Sequence, residues 1–442
     1  MATKTWTQTS GNLWSTGANW SGGTVPATTD TIVFDNTSDA NCTIDNLGTW
    51  TGGPVSIASG YDGTITQNTG VNFTCTTFSM ADDQAVFTCH AAATFTSTTF
   101  AVSAGTFNQG GAFVCTTFGI TATGIFVGSS AAMTTTAVTF SGTTSLTATS
   151  GTWNLSGNFT QTNTPTFSAN SGVIAVSGNT TINAPNITFN RFTIATTGFN
   201  AITVAASTIV PLGADPTSTH VDGGVIISGT VSFTGTWTAT SAGGSGFAAI
   251  TLQAAGTISG NNTTAAITDM NWANNGGTLP TGFSVTMNRT TSAAGSFTGA
   301  GATYNTFRRI GSGSSTITFS GSNTFTTFRD NDGSVAHTNI MTAGTTQTIT
   351  TFTVDGSSGK IVTFRSSSPN TAWTLTTSAG AKTCDYVVIQ DSTVDASPTW
   401  TAGENSADGG GNTNWIFTQS GGGGGGGGGA QSGGFSFGPA QG

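Results

Sequence analysis

Phenylalanine recurs along this chain at a nearly constant interval, within short segments in which threonine alternates with apolar residues. Phe78, Phe100, Phe118 and Phe140 follow one another at similar steps. Alternating apolar and polar positions are typical of a β-strand with one buried face. A repeat of about 20 residues is typical of one turn of a β-solenoid. The pattern therefore predicts solenoid turns over residues 55–200, with phenylalanine stacked on phenylalanine.

A second run of the same kind lies nearer the C-terminal end. Phe307, Phe328 and Phe352 are separated by comparable steps and close segments of the form Asn-Thr-Phe or Thr-Thr-Phe. Between the two runs, over residues 201–303, the regular interval is lost. We expect this stretch to be either an irregular part of the solenoid or a separate β-domain.

The chain is predicted to be all-β: an elongated, β-helix-like solenoid with β-sandwich-like segments and a flexible glycine-rich C-terminal tail. Ordinary β-sandwich domains are the alternative, because they also consist of short alternating strands separated by turn residues. Helices are not expected, since one glutamate and three lysines leave few of the residues that favour them. The predicted organisation is a tryptophan-rich cap (1–54), solenoid repeats (55–200), an irregular β region (201–303), a C-terminal β module (304–418) and a glycine-rich linker with a phenylalanine-containing tail (419–442).

Four of the ten tryptophans lie close to the N-terminus, namely Trp6, Trp14, Trp20 and Trp50. The first turn of a solenoid has an unpaired edge that must be covered, so we interpret this segment as a cap with buried rings. The alternative is an aromatic platform for sugar rings, in which case these four tryptophans are the ligand-binding residues.

The last part of the sequence differs in composition from the rest. Nine consecutive glycines, Gly421 to Gly429, precede the aromatic residues Phe435 and Phe437. A glycine run of this kind is a flexible linker when it is free in water. We expect it to tether the two phenylalanines, which would serve as an assembly anchor or as an exposed tip.

Charged residues make up only 6% of the chain, with 9 Lys+Arg, 18 Asp+Glu and a net charge of -9, whereas about 25% is usual in soluble domains. No basic stripe suits a nucleic-acid backbone, and no apolar run approaches the roughly 20 residues of a membrane span. We therefore expect neither a nucleic-acid partner nor membrane insertion. Residues 1–6 lack the apolar stretch of a secretory signal, so a standard secreted precursor is not expected.

The cysteines form no Cys-x-x-Cys pair, and four of the five lie in strand-like segments. We interpret them as small buried apolar residues rather than as disulfide partners or metal ligands. They are Cys42, Cys75, Cys89, Cys115 and Cys384.

Residues that could carry chemistry are sparse, and neither a catalytic residue nor a cofactor is predicted. Glycoside hydrolysis needs two carboxylates at a defined separation, but the acidic clusters here are typical of turns. Asp330 and Asp332 are weak candidates for a calcium-binding loop that lacks the usual distal glutamate. His337 follows Asp332 closely, far in sequence from His90 and His220. The acidic clusters are Asp82-Asp83, Asp330 with Asp332, and Asp391 with Asp395 and Glu404.

One part of the sequence resembles a known class of proteins. Asp-Tyr-Val-Val-Ile-Gln-Asp-Ser at 385–392 and the Trp-to-Phe segment at 400–417, with the strands at 318–325 and 359–364, resemble the closing module of tailed-phage structural proteins such as tail fibres. The resemblance covers roughly residues 304–418. Similar modules occur in bacterial surface proteins, and the N-terminal segment is similar to strand repeats of secreted adhesins. The resemblance implies a non-enzymatic structural or adhesive role on a virion and supplies no catalytic residues.

Three functions are consistent with the sequence. The preferred one is a fibre or spike on the virion surface of a tailed phage, with other virion proteins and a host-surface glycan as partners. A homotrimer is favoured, because intertwined β-structures protect their strand edges. The second is a subunit of a bacterial or archaeal extracellular filament or a cell-surface adhesin. The third, an enzyme, is a polysaccharide depolymerase spike, for which Asp330 and Asp332 are the residues to test.

Overall fold

The described part of the chain winds into a β-solenoid of about 16 turns. Its strands pair in parallel with the strands of the preceding and following turns. The solenoid prediction is therefore confirmed, whereas a β-sandwich would require antiparallel neighbours. A single short 3-10 helix, Gly17–Asn19, interrupts the strands among the described residues. The computed structural model describes residues 1–45, 48–185, 187–199, 202–214, 216–221, 224–241, 248–261 and 263–418.

Each turn contributes to three faces, and the pairings between turns define each face. The strands of the first face lie between residues 49 and 417. Its strands are Thr49–Gly52, the first parts of Asn72–Met80, Phe95–Val102, Phe113–Ile120 and Met133–Phe140, then Thr152–Leu155, Val173–Val176, Arg191–Phe199, Thr217–Val221, Thr236–Ser241, Thr264–Thr268, Ser284–Asn288, the second parts of Thr303–Ile310, Asn323–Asp330 and Thr346–Asp355, and finally Lys382–Asp385, Trp400–Ala402 and Trp415–Phe417.

The second face begins at the N-terminal strand. Its strands are Thr3–Thr5, Thr31–Phe34, Val55–Ile57, the second parts of the four long strands between 72 and 140, then Phe159–Gln161, Thr180–Asn183, Ile202–Val204, Val225–Ile227, Ala249–Leu252, Asn271–Asn274, Gly295–Thr298, Thr316–Ser320, His337–Met341, Val362–Ser366, Val387–Ile389 and Ala407–Asp408.

The third face is divided into three sheets rather than one. A seven-stranded sheet is followed by a three-stranded one and then by strands that join the first face through shared long strands. In order they are Cys42–Ile44, Thr64–Gln67, Val86–Thr88, Thr106–Asn108, Ile125–Val127, Ser145–Thr147 and Thr166–Ser168; Ile209–Ala214, Thr230–Thr234 and Thr257–Ser259; and the first parts of the three long strands between 303 and 355, with Trp373–Thr376 and Ser392–Val394.

The long strands bend around a corner between two faces. The bend occurs at a Thr-Thr pair. In Asn72–Met80 the buried residues Cys75 and Phe78 flank Thr76 and Thr77, and neither threonine is buried. Two consecutive outward residues break the strict alternation of a flat strand, so the chain turns at this point. The corner residue Thr76 has no register partner, while Thr77 pairs with Thr99 of the next turn.

Three columns of phenylalanine fill the core of the first phenylalanine-rich region. Phe78, Phe100 and Phe118 stack nearly parallel at centroid distances of 5.3 and 5.4 Å. The prediction of stacked phenylalanines is confirmed here, but the fourth member is different. Val138, not Phe140, aligns with Phe118, and Phe140 aligns with Ile120 in another column. The step from Phe118 to Val138 is therefore shorter than the interval from Phe118 to Phe140 that the sequence suggested.

Residues 201–303 continue the stack. Thr180–Asn183 pairs with Ile202–Val204, which pairs with Val225–Ile227, and Asn271–Asn274 pairs onward with Gly295–Thr298. The lost interval therefore reflects turns of unequal length. Within this stretch, residues 201, 215, 222–223, 242–247 and 262 lie outside the described residues, as does the glycine-rich linker with its phenylalanine-containing tail.

The cysteines are buried and free, as the sequence predicts. Burial raises the pKa of each thiol, to about 12 for Cys75 and further for Cys89. These thiols are therefore poor nucleophiles and poor metal ligands at neutral pH, since the thiolate is the reactive form.

Candidate functional site

The N-terminal tryptophans form a packed cluster at the start of the solenoid. The Trp6 and Trp14 rings each meet Trp20 edge-on, at 5.0 and 4.6 Å, and the Trp20 indole donates a hydrogen bond to the carbonyl of Trp14 at 2.8 Å. Trp50 stacks on Phe73 at 4.7 Å. The four tryptophan side chains are at most 5% exposed. Because a sugar needs a free ring face, these rings act as a core, and the sugar-platform alternative is corrected at these positions.

Asp330 and Asp332, the weak calcium candidates, point to opposite sides of the chain. Asp330 is fully buried, and its carboxylate accepts hydrogen bonds from the His337 imidazole at 2.7 Å and the Asn339 amide at 2.6 Å. Asp332 is exposed and accepts from the Gly311 backbone N–H at 2.8 Å. The two carboxylates therefore do not converge on one ion, and the proposed calcium loop is corrected.

The carboxylate of Asp330 belongs to a buried polar cluster inside the solenoid. Arg309 lies one turn earlier, directly after Arg308, which pairs with Arg329. Its guanidinium donates to the Thr338 carbonyl at 2.8 Å, to the Asn339 side-chain oxygen at 2.9 Å and to Ser315. Burial lowers the pKa of Arg309 to about 10, although the charge of Asp330 acts in the opposite direction. This cluster is closed on itself and offers no open position for a substrate.

A second buried cluster lies two turns earlier. Asp269 accepts hydrogen bonds from the backbone N–H groups of Thr290 and Thr291 at 2.9 and 3.3 Å. The Oδ1 atom of Asp269 lies 3.9 Å from the Nε atom of Arg289. Burial raises the pKa of Asp269, but these hydrogen bonds and the charge of Arg289 outweigh it, so that the pKa is lowered. Arg289 in turn donates to the carbonyls of Met270 and Ala293. Neither arginine cluster was predicted from the sequence.

Among the remaining acidic candidates, Asp82 and Asp395 accept hydrogen bonds from backbone N–H groups. Asp82 accepts from the backbone N–H groups of Gly60 and Gln84 at 2.6 and 2.9 Å, and Asp395 accepts from that of Thr377 at 2.7 Å. Glu404 is exposed, whereas Asp391 is buried. Among the described residues, no group of three His, Cys, Asp or Glu side chains is arranged to hold a metal ion.

The outer surface contains a groove of about 420 Å³ that is open to solvent. It lies beside the corner between the third and first faces and is lined by residues 279–282 together with residues of the next turns. Asn305 and Thr326 are exposed corner residues on its floor, and Leu279 and Pro280 provide apolar surface. Amide and hydroxyl groups next to apolar surface are the groups that bind a neutral, hydroxyl-rich ligand. The sequence could not show this groove, because its walls come from different turns.

The corner of the first phenylalanine-rich region provides a contrasting surface. Thr76, Thr98, Thr116 and Thr136 occupy equivalent corner positions and are exposed. Neutral polar side chains therefore line both corners, and the groove lies at the second of these two corners.

No family model, curated protein or solved structure matches this chain. Within the described residues, no helix is long and apolar enough to cross a membrane. The function is therefore inferred from the arrangement of the chain's own residues.

Proposed function

We propose that this protein is a non-enzymatic fibre or spike component of a tailed-phage virion, which holds a glycan-binding surface away from the particle. The observation that carries the proposal is the stack of about 16 turns. At a strand spacing of about 4.8 Å this corresponds to a rod on the order of 75 Å long. The resemblance of residues 304–418 to phage structural proteins supports the same assignment.

A structural role agrees with how the chain uses its ionisable groups. Asp330, Asp269 and Asp82 accept hydrogen bonds from neighbouring side chains or backbone N–H groups, which fixes them in place. General acid and base catalysis needs a carboxyl group within reach of a substrate. These groups support the fold instead, which argues against the depolymerase alternative.

We place glycan binding in the groove beside Asn305 and Thr326. Alanine at both positions removes one amide and one hydroxyl group from its floor. Each lost hydrogen bond is worth about 1 kcal/mol, so we expect binding to a glycan array to weaken by about tenfold or more. The matched control is Thr98→Ala with Thr116→Ala, which removes two hydroxyl groups from the equivalent corner of the other region. Equal binding by both double variants and the parent would contradict this placement.

The virion assignment is tested by particle composition. Antibodies raised against the purified protein should decorate projecting fibres or spikes in micrographs of phage particles. Homo-oligomerisation, with a trimer favoured, is tested on the same preparation by mass measurement in solution. Particles that lack the polypeptide would contradict the virion assignment. The result of the groove experiment does not depend on particle composition.

A specific observation favours the filament subunit as the second candidate. The last described strand, Trp415–Phe417, leaves Ile416 46% exposed at the end of the stack. An unpaired strand edge at the end of a solenoid is a template for a further chain. Helical filaments of this polypeptide alone would support this candidate over a virion fibre.

A further inference from the structure

The two ends of the solenoid differ in how their strand edges are covered. At the N-terminal end, Ser21 covers the edge of the first strand: its N–H donates to the Thr5 carbonyl at 2.9 Å, and its hydroxyl accepts from the Thr5 N–H at 2.9 Å. Trp14 and Trp20 close the core beneath this edge. A second copy could not pair with this end without displacing that cap.

The C-terminal end has no equivalent cover in the described part of the chain. Trp415–Phe417 pairs with Trp400–Ala402 on one side, and no described strand pairs with its other side. Trp415 and Phe417 continue the inward positions of Trp400 and Ala402 but are only half-buried. The final turn therefore presents two aromatic rings and an unpaired strand edge.

We propose that the chain's own segment Phe435-Ser436-Phe437 docks on this end as one further parallel strand. Its two phenylalanines alternate with one serine, so both lie on one side of a strand, as Trp415 and Phe417 do. The step from Trp415 to Phe435 equals the step from Phe118 to Val138, which are register partners in successive turns. In this register Phe435 covers Trp415, Ser436 lies beside Ile416, and Phe437 covers Phe417.

The composition of the intervening chain fits this occupant better than a second copy. Residues 419–434 are long enough to make one more circuit, since an extended chain spans about 3.3 Å per residue. The run Gly421 to Gly429 has no side chains to fill the core of the other two faces, so only the aromatic segment gains from docking. A tethered segment also has an effective concentration in the millimolar range. Adding a strand to an exposed edge satisfies the backbone groups of that edge.

A disulfide between Ile416→Cys and Ser436→Cys tests the register in the full-length chain. Neighbouring parallel strands place the two Cα atoms about 4.8 Å apart, which a disulfide can span. The natural cysteines do not compete, because they are buried and burial raises the pKa of their thiols. We expect an intrachain disulfide to form under mild oxidation, detected by non-reducing gel and peptide mass.

Two controls separate docking from chance collisions of a tethered tail. The same cysteine pair with Phe435→Ser and Phe437→Ser should form the bond about tenfold more slowly, as should the out-of-register pair Ile416→Cys with Ser432→Cys. Equal rates in all three proteins would overturn the proposal. Disulfides between chains would also overturn it, in favour of a second copy as the occupant. The docking stands independently of the virion assignment, because neither the groove nor particle composition enters the measurement.

Discussion

The two phenylalanine-rich regions, residues 72–140 and 303–355, use the same corner motif around different cores. In the first, three columns of phenylalanine stack almost in parallel; Phe87 and Phe107, for example, lie 5.2 Å apart with an interplanar angle of 3°. In the second, Phe307 and Phe328 still stack, at 5.0 Å, but a buried arginine and a buried aspartate occupy the next inward position. The Thr-Thr-Phe motif therefore specifies the bend, and the residues beyond it decide whether the core is apolar or polar.

The regions also differ in which corner the long strand rounds. Asn72–Met80 joins the first face to the second, whereas Asn323–Asp330 joins the third face to the first. The first face is therefore shared, and the bend moves by one corner between the two ends of the solenoid. Asn305 and Thr326, which line the groove, lie at this second corner.

The largest expected effect is on the apolar core. Phe100→Ala should lower the free energy of unfolding by about 4 kcal/mol, because it removes a ring that is packed between Phe78 and Phe118 and leaves a cavity. The measurement is urea unfolding followed by circular dichroism. Phe100→Leu is the control, since it keeps most of the apolar volume, and it should cost much less. Equal losses for the two variants would show that cavity formation is not the cause.

A slightly smaller loss is expected in the polar core. Asp330→Ala should cost about 3 kcal/mol, because it leaves the guanidinium of Arg309 buried beside no carboxylate and removes the acceptor of His337 and Asn339. Asp332→Ala, close in sequence but exposed, is the matched control and should cost less than about 1 kcal/mol. If both variants unfold at the same urea concentration, the buried cluster does not stabilise the second region.

Acid should act on the polar region through Asp269. Its pKa is lowered in the folded state, so the unfolded chain takes up a proton first as the pH falls. The free energy of unfolding gained from this group is therefore complete above the ordinary pKa of an aspartate and is lost as the pH falls through the folded value. Asp269→Asn should reduce stability near neutral pH and flatten the decline below about pH 4. Thr116→Val, which removes no ionisable group, is the control and should leave the slope unchanged.

The smallest effect is expected at the exposed corners. Thr116→Val in the first region and Thr350→Val in the second should each change the free energy of unfolding by less than about 0.5 kcal/mol, because surface positions of this kind contribute little. A loss above about 1 kcal/mol at either site in urea unfolding would show that the corner hydroxyl, rather than the bend itself, is required.

The sequence was sufficient to predict the solenoid because its core repeats. Phe78, Phe100 and Phe118 mark three turns, and the interval between them needs no tertiary information. Phe140 was predicted to continue the column of Phe118, but Val138 occupies that core position. Any apolar residue of suitable size can continue such a column, so aromatic spacing alone does not fix the register.

The buried charges could have been found by extending the alternation past each corner. Continuing the inward positions from Phe307 and Phe328 places Arg309 and Asp330 inside, although the composition of the Arg-Asp-Asn-Asp-Gly segment is typical of a turn. Their placement in adjacent turns depends on the register between turns, which the sequence leaves open. The groove is harder still to predict, because its lining combines residues 279–282 with Asn305 and Thr326 of later turns.

The parallel pairing of successive turns has a mechanical consequence. The hydrogen bonds between turns run along the long axis, so that tension applied to the two ends acts on every interface between turns in series. A chain pulled in this direction should yield first at its weakest interface and then turn by turn, whereas bending must compress one side of the stack. Among the described residues, the first two sheets of the third face do not pair between Ser168 and Ile209, and this is where we expect rupture to begin.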